Sequence, residues 1–239
     1  MTYRALATDY DGTLAHDGRV DAPTLEALER AHEHGLRLIM VTGRELDDLL
    51  KTFPQTRMFD RVVAENGAVL YHPGERASRT IAAPPPHALL EALGRQGVPM
   101  SVGRSIVATV EPFEHQLLAA IRDLGLEWHV IFNKGSVMAL PSDVTKATGL
   151  APALKALDLA ATETIGVGDA ENDHAFLRMC GLSVAVANAL PSVKEIADLV
   201  TSLPRGAGVT ELIDLYLSGA LDRVHANPAN HVAPSMTER

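Results

Sequence analysis

The chain has 239 residues, of which 46% are hydrophobic and 4% aromatic, and its formal net charge is -9. It is long enough for one large domain or two small ones around a core of mostly aliphatic side chains. The negative charge argues against nucleic acid as a partner, because that affinity comes largely from Lys and Arg side chains that neutralise phosphates.

The sequence also lacks the signals of export and of membrane insertion. Its beginning, MTYRALATDYD, has no signal-peptide pattern, and no apolar run approaches the roughly 18 residues that a membrane span requires. The single cysteine, Cys180, excludes a disulfide bond within the chain, which suits a reducing compartment. We therefore expect a cytoplasmic protein without a membrane partner, either a monomer or a homodimer.

Five short apolar runs predict strands that are buried on both faces, because they lack the polar alternation of a half-exposed strand. Helical segments separate most of them, and this order predicts a mostly parallel sheet with right-handed crossovers. The runs are RALAT at 4–8, LRLIMVT at 36–42, RVVAE at 61–65, TIGVG at 164–168 and LSVAVA at 182–187.

The first helix is predicted over residues 22–34, between the first two of these strands. Leu25, Leu28 and Ala31 form its apolar stripe. Asp21 is the expected N-cap, and Gly35 is the expected residue just beyond the helix end.

The pattern changes after three consecutive prolines at 84–86, which predict a stiff linker rather than a docking site for a reader of Pro-rich motifs. The segment that follows predicts a small α+β insert. Its expected elements are a helix at 87–95, a strand at 105–111, a helix from Pro112 to Gly125 with Phe113, Leu117, Leu118, Ile121 and Leu124 as its apolar face, and a hairpin of WHVIFN and SVMAL.

The larger sheet resumes after the insert, at PSDVTKATGL. Pro152 interrupts the helical pattern there and predicts a helix that is kinked or begins late. The last residues, from 219 to 239, have little apolar content and predict a disordered tail.

Two carboxylates, Asp9 and Asp11, follow the first predicted strand in the stretch TDYDGTL. Ligands bind at the carboxyl ends of parallel strands, and Gly12 lets the backbone turn away sharply there. Two close carboxylates repel each other unless a cation neutralises them, and Mg²⁺ prefers such oxygen ligands. The pattern alone is weakly specific, although an EF-hand calcium loop would need its glycine at the sixth position rather than the fourth.

Three further stretches carry side chains suited to phosphate chemistry. TGR at 42–44 supplies a hydroxyl, Lys146 in TKATG supplies an ammonium near a helix start, and GDAEND at 168–173 supplies more acids. All of them follow predicted strands or begin helices, so they can converge on one edge of the sheet. A hydroxyl, an ammonium and acids around a metal are what phosphoryl transfer from an ester requires.

The four motifs stand in the order found in haloacid dehalogenase superfamily phosphatases, which the chain resembles over about residues 3–217. The insert resembles the cap of the Cof-like type IIB branch, which lies between the second and third motifs. The resemblance implies an α/β fold with a Rossmann-like, mostly parallel sheet core at 1–82 and 142–218 and a small inserted α+β cap domain at 83–141.

The resemblance also implies a role for each motif residue. Asp9 would be the nucleophile that forms an aspartyl-phosphate, and Asp11 would be the general acid and base. Mg²⁺ would be held by the Asp9 carboxylate, the Asp11 backbone carbonyl and Asp169. The phosphoryl oxygens would be held by Thr42, Gly43 and Lys146, and the supporting residues behind them would be Asn172 and Asp173, the latter orienting Lys146 or a water ligand of the ion.

Several residues keep a plain structural alternative. Thr42 could be a helix N-cap, Arg44 could pair with a surface acid instead of a substrate, and Asn66 could only supply a turn. The other candidates for substrate contacts lie in the cap, and they are Arg104, His129, Asn133 and Lys134.

A small cap with few aromatic residues suggests a small polar phosphate ester as substrate, such as a sugar phosphate or phosphoglycolate. A phosphotransferase or mutase would use the same Asp9 and Asp11 but deliver the phosphoryl group to a second hydroxyl. A phospho-accepting regulatory module is a further alternative, although such modules carry the acceptor on a later strand. A catalytically silent binding protein is the last alternative.

Overall fold

A computed structural model of the chain describes residues 3–133 and 135–224. In chain order, the strands of these residues are β1 (Ala5–Thr8), β2 (Arg37–Val41), β3 (Arg61–Ala64), β4 (Val69–His72), β5 (Ala77–Thr80), β6 (Ser101–Val102), β7 (Val107–Val110), β8 (Trp128–Asn133), β9 (Ser136–Pro141), β10 (Thr164–Gly168), β11 (Leu182–Ala185) and β12 (Leu199–Val200). The α-helices are α1 (Ala22–Glu33), α2 (Leu46–Thr52), α3 (His87–Arg95), α4 (Glu114–Asp123), α5 (Lys146–Ala156), α6 (His174–Met179), α7 (Pro191–Ile196) and α8 (Arg205–Leu217).

The larger sheet has the strand order β12-β11-β10-β1-β2-β3-β4-β5. The strands from β12 to β3 are parallel, while β4 and β5 add an antiparallel edge that the sequence did not predict. All five predicted buried strands belong to the parallel part, and the predicted Rossmann-like, mostly parallel core is confirmed. Their residues are almost all buried because helices cover both faces of such a sheet.

The strand β1 lies at the centre of this sheet, between β10 and β2. Thr8 at its end pairs with Val167 on one side and Met40 on the other, so the three strands end at the same level. The residues that follow these strands therefore meet at one edge of the sheet.

The first helix begins and ends as its sequence predicts. The Asp21 side chain accepts a hydrogen bond of 3.0 Å from the Thr24 backbone N–H. Gly35 has φ of +90°, in the left-handed region that glycine adopts at little cost.

The smaller sheet is antiparallel, with the order β6-β7-β9-β8, and it is inserted between β5 and α5. The helices α3 and α4 pack on it around a core of their own, which contains Leu89, Leu93, Leu117, Val137 and Ala139. This is the predicted inserted α+β cap domain. Its expected boundaries at residues 83 and 141 stay a prediction.

The apolar face of α4 is narrower than predicted. Leu117, Ala120 and Ile121 are buried, whereas Leu118 is 43% exposed and Leu124 is 39% exposed. Because each residue turns a helix by about 100°, Leu118 lies beside the stripe that Leu117 and Ile121 define. Leu124 is on the same side as Leu117, but it is the C-cap residue that follows the last helical residue, Asp123.

The helix α5 begins at Lys146 and contains Pro152, so the expected late start is wrong. A capping box fixes the beginning: Thr145 accepts from the Thr148 N–H at 3.2 Å, and the Thr148 hydroxyl accepts from the Thr145 N–H at 2.9 Å. Pro152 removes only one hydrogen bond within the helix.

The predicted disordered tail starts at residue 219, which is too early. Residues 220–223 form one turn of 3-10 helix, and Leu221 is buried in the main core because it packs beneath α8. Residues 225–239 lie outside the described residues. Among the described helices, none is both long and apolar enough to cross a membrane.

A close approach of two glycines sets the start of α5 against the loop that follows β3. A Cβ on Gly149 would lie 2.4 Å from the Cα of Gly67, and a Cβ on Gly67 would lie 2.0 Å from the carbonyl oxygen of Thr145. Gly67 also has φ of +112°. Both positions therefore require glycine, and their contact holds Lys146 near the edge of the sheet.

We predict that Gly149→Ala lowers the free energy of unfolding by about 1–3 kcal/mol, because the added methyl group forces the loop and the helix apart. Gly94→Ala in α3 is the matched control, since a Cβ there would meet only the Met100 side chain, at 3.9 Å. The control should be neutral or stabilise by up to about 1 kcal/mol. Urea unfolding followed by circular dichroism measures both, and equal effects would contradict the prediction.

Candidate active site

The predicted motif residues meet at the carboxyl edge of the parallel sheet. Asp9 follows β1, Thr42 follows β2 and Asp169 follows β10, while Lys146 is the first residue of α5. All four side chains are buried, with at most 4% of the residue exposed. The segments expected to converge therefore do so.

Lys146 lies between two carboxylates in this buried site. Its Nζ donates to Oδ1 of Asp9 at 2.6 Å and to Oδ1 of Asp173 at 2.5 Å. It also lies 5.9 Å from the centre of the Phe176 ring. A buried ammonium with two carboxylate partners is held firmly, because leaving either charge unpaired would be costly.

Asp173 holds this arrangement together through both of its oxygens. Oδ1 accepts from Lys146, and Oδ2 accepts from the backbone N–H groups of Asp169 and Ala170, each at 2.9 Å. Asp173 therefore fixes both the ammonium and the turn that carries Asp169.

The same carboxylates fit a divalent cation. Asp9, Asp169 and Asp173 each offer an oxygen, and these atoms lie within 4.8 Å of one another. The Thr13 hydroxyl donates to Oδ1 of Asp169 at 3.1 Å, which orients that side chain. Three buried carboxylates beside one ammonium leave an excess of negative charge, and oxygen ligands of this kind suit Mg²⁺.

The pKa values of both partners of the central ion pair are raised, that of Asp9 by burial and that of Lys146 by its carboxylate partners. Burial raises the pKa of Asp9 to about 8; Lys146 opposes this rise, and the carboxylates of Asp173 and Asp169 add to it. Burial by itself would lower the pKa of Lys146, but Asp173 and Asp9 outweigh it and raise that pKa above its usual value. A divalent cation beside Asp9 would lower the pKa of its carboxyl group again.

Asp11 pairs with Arg44 at the wall of the site. Nε and Nη2 of Arg44 donate to the two carboxylate oxygens of Asp11 at 2.7 and 2.8 Å, and Nη1 donates to Asp48 at 2.9 Å. The Arg44 guanidinium lies 5.4 Å from the centre of the Tyr10 ring. Arg44 therefore pairs with an acid, as its structural alternative predicted, and that acid is the motif residue Asp11.

A cavity of about 400 Å³ lies between the two sheets, and Asp9, Asp11 and Lys146 of this site line it. The core side contributes charged groups, and the cap side contributes uncharged ones. Its lining comprises Asp9, Asp11, Gly43, Arg44, Glu45, Asp48 and Lys146 from the core and Ser101, Ile106, Ala108, Asn133, Ser136 and Met138 from the cap. The predicted candidates Arg44 and Asn133 thus face the cavity.

Thr42 is buried, and its Oγ1 accepts from the Arg44 N–H at 3.1 Å. The alternative that Thr42 caps a helix is wrong, because α2 begins at Leu46 after Glu45. Asn66 does supply a turn, with φ of +52°, but its amide also accepts from Asn172 at 2.8 Å. A second cavity, of about 430 Å³, is lined by both asparagines and by His129.

The remaining cap candidate points elsewhere. The Arg104 guanidinium hydrogen-bonds the Ser78 hydroxyl and reaches Asp47 at 3.4 Å, and Arg104 lines neither of these two cavities. Lys134 lies outside the described residues. The roles assigned to individual site residues stay predictions.

Two supporting residues were missed in the sequence. Thr13 orients Asp169, and the Asn188 amide donates to the Gly12 carbonyl oxygen at 2.9 Å, which ties down the loop that carries Asp11. Thr13 is part of the quoted DGT stretch, and Asn188 follows the predicted strand LSVAVA. The rule that strand ends carry function could have identified both.

Comparison with known proteins matches this architecture. The model of the haloacid dehalogenase-like hydrolase family matches residues 6–102 and 109–213. The chain is 33% identical over 224 residues to phosphoglycolate phosphatase 2 of Saccharolobus solfataricus, covering 90% of this chain and 92% of that protein. It is 30% identical over 222 residues to phosphoglycolate phosphatase of Methanothermobacter thermautotrophicus, covering 90% of this chain and 99% of that protein.

The fold also resembles that of a sugar phosphatase of haloacid dehalogenase subclass IIB, with a TM-score of 0.69, 22% identity and coverage of 89% of this chain and 98% of that one. The chain belongs to the haloacid dehalogenase-like hydrolase family. The predicted superfamily and the predicted hydrolase class are confirmed, whereas the Cof-like type IIB branch stays a prediction.

We predict that Lys146→Met lowers the free energy of unfolding by about 3–5 kcal/mol in metal-free buffer, because it leaves buried carboxylates without their shared partner. Lys155→Met, at an exposed position of the same helix, is the matched control and should change little. Urea unfolding gives both values. If Lys146→Met lowers the free energy of unfolding no more than Lys155→Met does, the buried ion pair does not contribute the expected stabilisation.

Proposed function

We propose that the chain is a Mg²⁺-dependent phosphatase that hydrolyses a small phosphorylated metabolite through an aspartyl-phosphate on Asp9. The observation that carries this proposal is the buried Lys146 ammonium between Asp9 and Asp173, with Asp169 beside them. The site borders a cavity large enough for a small ester. The names of the phosphoglycolate phosphatase relatives support the same activity.

The metal would be held by the carboxylates of Asp9 and Asp169 and by the backbone carbonyl of Asp11. Asp173 is a less suitable ligand, because Lys146 and two backbone N–H groups already engage its oxygens. When bound, the ion would reduce the repulsion between the Asp9 carboxylate and the anionic phosphate.

Asp9 would attack phosphorus with a carboxylate oxygen while the bond between phosphorus and the ester oxygen breaks. Asp11, two residues on and lining the same cavity, would donate a proton to the leaving oxygen. In the second step Asp11 would take a proton from water, which attacks the aspartyl-phosphate. Inorganic phosphate leaves, and Asp9 returns to a free carboxylate.

Thr42, Gly43 and Lys146 would hold the phosphoryl oxygens during both steps. Lys146 contributes a full charge where negative charge develops, and its position is fixed before the substrate binds. Asn172 contributes indirectly, through its hydrogen bond to Asn66 in the neighbouring loop.

The substrate class that fits best is a small phosphate ester with a carboxylate, such as phosphoglycolate. Arg44 lines the cavity, but Asp11 and Asp48 already engage its guanidinium, so this choice of substrate rests on the relatives rather than on Arg44. The relatives named as phosphoglycolate phosphatases agree with this class.

A sugar phosphate is the second candidate, because the cap side of the cavity carries the polar, uncharged Ser101, Asn133 and Ser136. Such side chains suit the hydroxyl groups of a sugar. A phosphotransferase would use the same Asp9 and Asp11, and the identity of the product distinguishes the two reactions.

We predict that Asp9→Asn lowers kcat at least about a thousandfold, because the amide cannot attack phosphorus. Asp17→Asn is the matched control: Asp17 lies in an exposed loop with its side chain 92% exposed and φ of +50°, which asparagine tolerates. Phosphate release measures both variants. Near-normal turnover by Asp9→Asn would mean that another residue is the nucleophile.

Removal of divalent metal should stop turnover, and added Mg²⁺ should restore it. The expected reason is that the buried acids cannot accept an anionic ester while their charge is uncompensated. Phosphate release after EDTA treatment, with and without excess Mg²⁺, tests this. Turnover that survives chelation would remove the metal from the mechanism.

A screen of phosphate esters should rank phosphoglycolate above hexose phosphates by about tenfold or more in kcat/KM. Inorganic phosphate should account for nearly all of the phosphoryl group released. A preference for hexose phosphates would favour the second candidate, and transfer to an added sugar hydroxyl in place of phosphate release would favour a phosphotransferase.

A further inference from the structure

Glu65 is a buried carboxylate that the proposed chemistry does not use. It follows β3 in the core and begins a 3-10 turn, with φ of +53° and 1% of the residue exposed. Burial raises the pKa of its carboxyl group, and hydrogen bonds from Arg104 and Ser105 oppose that rise. A buried acid of this kind needs hydrogen-bonding partners, and here the cap provides them.

The partners of Glu65 are two consecutive backbone N–H groups of the cap. Arg104 donates to Oε1 at 3.0 Å, and Ser105 donates to Oε2 at 2.9 Å. Each carboxylate oxygen thus receives one bond. Hydrogen bonds to a charged acceptor are stronger than neutral ones, so this contact is a firm link between core and cap.

The loop that Glu65 holds is the turn of the hairpin β6–β7. The Gly103 N–H donates to the Ile106 carbonyl oxygen at 2.9 Å and closes this turn. The hairpin supplies Ser101, Ile106 and Ala108 to the wall of the substrate cavity. The position of that wall therefore depends on where the turn is held.

The fit between the carboxylate and the turn leaves no space for a side chain at Gly103. A Cβ there would lie 2.8 Å from Oε2 of Glu65 and 2.9 Å from its Cδ. The Ser105 hydroxyl adds a bond of 3.0 Å to the carbonyl oxygen of Ala82, in the linker to the cap. Contacts from both sides thus converge on one short turn.

We propose that Glu65 is a positioning residue that docks the β6–β7 hairpin on the core and so sets the cap wall of the substrate cavity. Its catalytic consequence rests on the phosphatase function proposed above, but the docking itself does not. Glu65 acts on substrate binding through the hairpin and touches none of the reacting groups.

Hydrogen exchange of the full-length protein tests the docking without any activity measurement. In Glu65→Gln, an amide group replaces one acceptor oxygen; in Gly103→Ala, the added methyl group displaces the carboxylate while its charge remains. The hydrogen-exchange rates of the Arg104 and Ser105 amides should rise about tenfold or more in both variants. Glu75→Gln, at a remote side chain that is 71% exposed, is the matched control and should leave these amides unchanged.

Kinetics test the consequence for the reaction. The two variants should raise KM for the best ester of the screen by about five- to tenfold, with kcat within about threefold of the wild type. The double variant should be no worse than the poorer single variant, because both changes break the same contact. Glu75→Gln should match the wild type in both constants.

The outcomes separate the two proposals. Unchanged exchange at Arg104 and Ser105 in a folded variant would overturn the docking role, whatever the activity. A fall in kcat at constant KM would overturn the positioning role, because Glu65 would then act on the reacting groups. If Glu65→Gln does not fold, the exchange rates of the Arg104 and Ser105 amides in Gly103→Ala decide the docking role. A wild type without phosphatase activity would refute the proposed function, while hydrogen exchange still decides the docking.

Discussion

The ion pair between Lys146 and the two carboxylates of Asp9 and Asp173 is the interaction on which the rest of the site depends. It joins three separate parts of the chain, the ends of β1 and β10 and the start of α5, through side chains that are almost fully buried. Buried charges are tolerated only when they are paired, so removal of any one partner is expected to destabilise the fold, and the pairing constrains where these segments lie. The excess of carboxylate over ammonium also makes a cation a natural partner of the site.

The domains of the two sheets contribute different kinds of side chain to the cavity. Among the described residues, the core contributes every charged residue of the cavity lining, whereas the cap contributes serine, asparagine and apolar side chains. The charged side chains that the proposed chemistry needs therefore come from the domain of the parallel sheet, whereas the domain of the smaller sheet shapes the cavity wall. Contacts such as that of Glu65 with Arg104 and Ser105 matter because they hold the two surfaces in register.

Membership of a hydrolase family excludes two of the alternatives that the sequence left open, a phospho-accepting regulatory module and a silent binding protein. The position of Asp9 is consistent with this outcome. It follows the central strand of an eight-stranded sheet and faces a cavity that a second domain covers. A covered cavity suits a small substrate that must be separated from bulk water during phosphoryl transfer.

Local patterns determined much of this protein from its sequence alone: the buried strands, the capped helix α1, the β8–β9 hairpin, the family and the motif residues that meet at the sheet edge. The elements depend on periodicity, caps and strand ends, which are properties of neighbouring residues, and the family rests on the resemblance of four motifs in their order. Only the tertiary structure decided the pairing of Arg44 with Asp11, the bond between Asn66 and Asn172, the placement of Arg104 away from the cavity and the docking contact of Glu65. Each of these joins segments that are far apart in the chain, and their meeting depends on strand register and domain packing, which no local pattern encodes.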